Sequence, residues 1–205
     1  MKVRHPFLVL LVFSITSSIM ACSSQPTTSI APPATITAIP MTSYTDDTGV
    51  ITVSLPSAWP DVITSPEVSE SLEFPTLKAS TSLRNFDILA TPGVSIVVLR
   101  PMSITPEDVI RNLSNRTYTY LSKFSCESIP EKPYYDGTFD GIKTIYSNCN
   151  NTGNTVIVLT AQLAKTDLVI GIVLNSAPKQ ASKDIEPMFK SILASLKINS
   201  TLYPY

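Results

Sequence analysis

Histidine is almost missing from this sequence: the one present, His5, stands in the leader. A chain processed beyond it loses the side chain that titrates near neutral pH, and with it the commonest general base and metal ligand. A basic surplus is missing too. Fifteen Lys and Arg face sixteen Asp and Glu, a net charge of −1, whereas gripping a phosphate backbone requires a clear positive excess. Nucleic acid is thereby excluded as a partner. Charged residues make up only 15% of the chain, and 6 glycines stand against 17 prolines. The low charge, a departure from ordinary globular composition, is deepest in the first 45 residues, where Lys2 and Arg4 are the only charged side chains; twelve of the prolines lie beyond them.

What is present at the start is an export signal, Met1 to Ala21. Lys2 and Arg4 form a basic start, and Pro6 to Ile19 is an uncharged run rich in Leu, Val and Ile, followed by small residues. The run is short of the ~20 residues a membrane span needs, and no basic stop follows it. Ile19-Met20-Ala21-Cys22 resembles the lipobox of bacterial lipoproteins. That resemblance implies a diacylglycerol thioether on Cys22, cleavage before it, and acylation of the new amino group. Several acyl chains on one residue exceed what stable anchoring requires. The expected address is the extracytoplasmic face of the cell membrane, or the outer membrane where there is one, since Ser23 gives no acidic retention signal.

Residues 22–43 read as the lipidated cysteine and a tether. From Ser23 to Ser43 there are four prolines, five threonines and four serines, and no charge. Such a stretch buries too little apolar area to offset its ordering entropy, and in extended polyproline form it would reach ~65 Å. Residues 44–198 are the expected domain, and 199–205 a tail.

Within the domain, Asp46-Asp47-Thr48-Gly49 signals a turn, and Val50 to Leu55 alternates as a strand. Thr76 to Ser82 and Val94 to Leu99 are further strands, the second apolar enough to lie centrally in a sheet. Thr105 caps a helix that Pro106, Glu107 and Asp108 open well, with Val109, Ile110, Leu113, Tyr120, Leu121 and Phe124 along one side. Gly141 to Cys149, a loop over Asn150 to Asn154, Thr155 to Ala164, and Leu168 through Asn175 form an antiparallel meander. A last helix carries Ile185, Met188, Phe189, Ile192, Leu193 and Leu196. Strands, helix, meander, helix predicts an α+β class, a twisted antiparallel sheet flanked by helices. Setting Cys22 aside, Cys126 and Cys149 are an even pair in an exported chain, which predicts one disulfide.

The pieces together resemble exported bacterial members of the PsbP-like superfamily. Asp46 through Val62 is similar to the opening strand and Trp-bearing turn, and Ala90-Thr91-Pro92-Gly93-Val94 to the entry to the central strand. Tyr134, Gly137, Phe139, Gly141 and Cys149 resemble the cysteine-linked meander, and Ile192 to Leu196 the closing helix. LpqN-type lipoproteins are similar in layout. The resemblance implies an α/β/α sandwich. Members serve as extrinsic photosystem subunits, as a nuclear Ran-binding protein and as bacterial envelope lipoproteins, so the implied style of function is accessory binding.

The catalytic-looking constellations each have a plainer account. Asp47-Thr48-Gly49 matches the aspartic-protease triplet, but there is no second copy and a turn explains it. Ser176-Ala177-Pro178-Lys179 matches S-x-x-K without the S-D-N or K-T-G that penicillin-recognising enzymes add. Asp136 and Asp140 sit in turns without the spacing of a calcium loop. Trp59 and the tyrosines around the cysteine pair, Tyr118, Tyr134 and Tyr135 among them, are the candidate binding surface, though a lone tryptophan also suits a core. The expectation is therefore a monomeric, non-catalytic module without cofactor or metal, anchored to the membrane through Cys22. It would dock to an envelope partner; the alternative is binding a small apolar or lipid-like ligand, and a carboxylate-based hydrolase is the remaining class.

Overall fold

Alternating apolar residues in the middle of the chain build a sheet packed wholly on one face and partly on the other. The structure, a computed structural model, describes residues 39–69, 72–176 and 185–203, without the Ser69 side chain. The expected leader, the lipobox with Cys22, most of the tether, and Lys179 of the S-x-x-K match lie outside the described residues.

The elements are β1 (Met41–Thr45), β2 (Ile51–Pro56), β3 (Asp61–Ile63), β4 (Glu67–Ser69), β5 (Leu72–Phe74), β6 (Thr76–Ser80), α1 (Leu83–Phe86), β7 (Gly93–Leu99) and α2 (Pro106–Ser122). Then follow β8 (Glu127–Ser128), β9 (Lys132–Tyr135), β10 (Phe139–Cys149), β11 (Asn154–Leu163), β12 (Val169–Asn175), α3 (Ile185–Ser195), β13 (Lys197–Ile198) and a 3-10 turn, Ser200–Leu202. The main sheet runs β3-β6-β7-β12-β11-β10-β8, with β9 also on β10. Every pairing in it is antiparallel. A smaller sheet, β1-β2-β13, and the β4-β5 hairpin complete the strands. This is the expected α+β class, with Val94–Leu99 near the middle of the main sheet as its composition predicted.

One face of the main sheet presents Leu77, Ile96, Ile170, Ile172 and Leu159, closed over by Val53 and Leu55 of β2 and by Phe189 and Ile192 of α3. The other face presents Val156, Val158 and Tyr146, against Leu121 of α2 and Leu89. Helix α2 begins where the sequence indicates. The Thr105 hydroxyl accepts from the Asp108 amide at 3.2 Å, satisfying one of the unpaired amides of the first turn. The buried Ser114 and Thr160 hydroxyls, 2.8 Å apart, tie the helix to β11. At Gly171 a Cβ would stand 3.1 Å from Val97 Cγ1 on the neighbouring strand, a crowded distance, and 3.7 Å from Leu113 Cδ1 of α2, an ordinary contact.

Cys126, just past α2, is disulfide-linked to Cys149 at the end of β10. The ordered structure is wider than the sequence suggests at both ends. Strand β1 starts at Met41, inside the stretch read as tether, because its backbone pairs with β2. Tyr203, in the stretch read as tail, is buried; its hydroxyl accepts from the Arg100 amide at 3.1 Å.

Candidate functional site: a groove beside α2

Helix α2 lies over β10, β11 and β12 and leaves the β6-β7 side of the same face uncovered. The β4-β5 hairpin approaches β7 from the other side. Between helix and hairpin runs a groove whose floor is the outward half of β7: Ser95, Val97 and Leu99. It has three contiguous hollows. The middle one, about 460 Å³, lies between Phe74 of the hairpin and Val109 and Leu113 of α2. The outer one, about 690 Å³, continues past Leu99 to Met102, Ile104 and Tyr203. The inner one, about 460 Å³, is bounded by Lys78, Phe86, Leu89, Thr117 and Tyr120. Leu72, Phe74, Leu99, Ile104 and Val109 are shared by the outer and middle hollows, and Arg116 by the middle and inner ones. Each volume falls within the range of small-molecule sites, ~300–1,000 Å³.

The inner end is held by hydrogen bonds to the loop that follows α1. The Tyr120 hydroxyl donates to the Asp87 carbonyl, and the Asn154 amide nitrogen to the Leu89 carbonyl. Asn175 Nδ2 donates to the Thr91 carbonyl at 2.8 Å, and Ser80 Oγ to that of Pro92 at 2.7 Å. Leu89 is kept at φ 59°, a conformation costly for a branched side chain unless its surroundings impose it. Burial, then the nearby Asp87 charge, raises the Tyr120 pKa, so this hydroxyl stays a donor at physiological pH.

Charged groups rim the groove. Lys78 Nζ stands 3.8 Å from Glu67 Oε2. Arg100 lies over the Tyr203 ring, 4.8 Å from its centroid, and reaches Asp167 at 3.4 Å. Arg116 is exposed and forms no ion pair with a carboxylate among the described residues.

The four aromatics expected as a binding surface are not brought together. Trp59 is 3% exposed and belongs to the core closed by α3 and β2, so it offers no platform. Tyr134 and Tyr135 are consecutive in β9 and project to opposite sides of the sheet. Tyr134 packs on the α3 side, where its hydroxyl donates to Asp136 Oδ2 at 2.8 Å. Burial and that hydrogen bond push its pKa up to about 12. Partial burial disfavours the Asp136 carboxylate, but the Phe139 and Thr138 amides and the Tyr134 hydroxyl outweigh it, and the Asp136 pKa is lowered. Tyr135 is 74% exposed, and Tyr118, 55% exposed, stands on α2. Cys126 and Cys149 are brought together, as expected.

Asp46 is a turn former: it is buried and accepts from the amides of Thr48 and Ile51. Ser176 accepts from the Thr155 amide at 2.9 Å. Among the described residues no three His, Cys, Asp or Glu side chains converge as a metal site, and no helix is long and apolar enough to cross a membrane.

The groove escaped the sequence reading. Its signal was the outward half of a strand apolar on both faces, together with Val109, Leu113 and Arg116 at helical spacing. Which strand meets which helix side is not written in either segment.

The fold is similar to that of the Ran-binding protein Mog1p of Saccharomyces cerevisiae. At 14% identity the TM-score is 0.50, covering 82% of this chain and 100% of that one. Cyanobacterial PsbP (CyanoP) of Synechocystis sp. PCC 6803 aligns at 12% identity with a TM-score of 0.47, over 83% of this chain and 99% of that one. A protein of Bacteroides thetaiotaomicron VPI-5482 aligns at 12% identity and 0.45, over 80% of this chain and 50% of that one. At such identity the Mog1p likeness establishes a shared fold and no more. No family model matches the chain, and no curated protein matches it in sequence.

Proposed function

We propose that this protein is a non-catalytic accessory module of the bacterial envelope, lipid-anchored through Cys22, that engages its partner or ligand through the groove beside α2. The observation that carries this is the groove itself. Apolar side chains of β7, α2 and the hairpin line a continuous concave surface on the sheet face that α2 only half covers. Exposed apolar side chains rim its outer end, Leu72, Met102 and Ile104. Concave apolar surface with a few polar groups at its margin is the form of a binding site. Mog1p, which shares the fold, is a Ran-binding protein, so this scaffold carries a protein-binding role elsewhere.

The anchor reading rests on the lipobox resemblance. Cys22→Ser should remove the acyl mass and leave the leader uncleaved, both read by mass spectrometry of the intact chain. The binding reading is tested by filling the floor with Val97→Trp and comparing in-cell crosslinks with wild type. Loss of the wild-type crosslinked species, with the far-UV spectrum kept, is the expected result. An unchanged pattern contradicts it.

A further inference from the structure

Lys78, Arg116 and two hydroxyls stand together at one end of a mostly apolar groove, and that placement specifies a ligand; the inference rests on the binding reading above. Its middle and outer hollows share five side chains, four of them apolar aliphatic and the fifth Phe74. Val97 and Leu99 of β7 lie beneath them, and Glu67, Glu73, Arg100, Ser103 and Asn112 stand among the lining. The inner end adds hydrogen-bond donors to a lining that keeps Phe86, Leu89 and Val173. Lys78 of β6 and Arg116 of α2 stand on opposite walls, with the Ser95 and Thr117 hydroxyls between them, and no hydrogen bond from either hydroxyl is formed among the described residues. Acidic groups are close by as well. Asp87 lines the inner end, and Glu67, on the hairpin, is 3.8 Å from Lys78. Arg116 borders both the polar and the apolar hollow, so a ligand that fills the two must pass it.

We propose that the groove binds a single-chain phospholipid, its acyl chain along Val97, Leu99 and Leu113 and its phosphate against Arg116 and Lys78. Phosphate suits this end better than carboxylate. A guanidinium fork, an ammonium and two hydroxyls offer more donors than two carboxylate oxygens accept, and Arg pairs with phosphate bidentately.

The test uses the processed chain, residues 22–205, bearing Cys22→Ser, which carries neither leader nor acyl chains, titrated below the micelle threshold with 1-palmitoyl lysophosphatidic acid, palmitate and 1-palmitoylglycerol. Native mass spectrometry gives the stoichiometry. The expected result is one lysophosphatidic acid per chain, bound at least ~10-fold more tightly than the glycerol ester, a gap that Arg116→Gln closes and that charge-assisted pairing readily supplies. Arg116 is an exposed helix position, so this variant keeps the fold. Val97→Trp should abolish binding of all three. Tighter binding of palmitate overturns the phosphate assignment. So do equal affinities of lysophosphatidic acid and the glycerol ester, or indifference to Arg116→Gln; if Val97→Trp still abolishes binding in these cases, the groove reading stands. Binding of none of the three overturns the lipid assignment alone, because the crosslinking comparison tests the groove separately.

Discussion

The two faces of the main sheet are built from the same kinds of residue and end in different states. On one face, Leu77, Ile96, Leu159, Ile170 and Ile172 are fully buried beneath α3 and the β1-β2-β13 sheet. On the other, α2 covers β10 to β12, and the outward residues of β7, Ser95, Val97 and Leu99, are only partly buried in a groove. Apolar patterning of a strand therefore does not say which face is core and which is site. The number and placement of covering elements does. A sheet with two lids on one side and one on the other has a core and a vacancy.

That contrast is sharpest in mutational cost. Phe189→Ala, on the closed face at 1% exposure, should destabilise by about 3–5 kcal/mol, because the deleted ring leaves a cavity that packed neighbours cannot fill. Val97→Ala on the groove floor should cost about 1 kcal/mol or less, since the site is already open. Urea unfolding of the two variants measures both, and similar costs would erase the distinction.

The disulfide tests the half-covered face. It closes a 23-residue separation next to α2, so replacing Cys126 and Cys149 by Ala should lower stability by roughly 3 kcal/mol in the chain-entropy account. Because it tethers the end of the helix that forms the groove wall, the same variant should weaken ligand binding while Phe189→Ala, in conditions where it is folded, leaves binding near wild type.

The smallest effect is a pH dependence confined to the other side. Tyr134 titrates near 10.0 when unfolded and at about 12 when folded. Its contribution to stability is thus complete below pH 10 and lost as pH rises toward 12. Asp136, lowered from 3.8, contributes fully above that value and loses its contribution on acidification below it. Tyr134→Phe should flatten the alkaline limb of the stability profile and leave groove binding unchanged.

Much of this architecture was legible in the sequence. Thr105-Pro106-Glu107-Asp108 marks the helix start, and alternation over Val94–Leu99 and the meander sets the central strands. The class of fold follows from that order. Strands β3, β4, β5, β8 and β13 were not legible, because pairings of two or three residues carry no period to detect. Tyr203 was invisible as a core residue because its burial depends on Arg100 and Val98, about a hundred positions away. The tyrosines near the cysteines misled for a physical reason: neighbours in a strand face opposite ways, so closeness in sequence separated Tyr134 from Tyr135. The groove needed the hairpin, α2 and β7 together, and only tertiary packing supplies that conjunction.

The central claim is that the groove between α2 and β7 is the working surface. Met102 at the groove mouth and Tyr135 on β9 are comparably exposed apolar side chains, 78% and 74%, on opposite sides of the strands between β7 and β10. A photo-crosslinking residue placed at each position in turn, irradiated in cells and read by mass spectrometry, compares them directly. A discrete adduct is expected from position 102 and background at 135. A discrete adduct at 135 with background at 102 would contradict it.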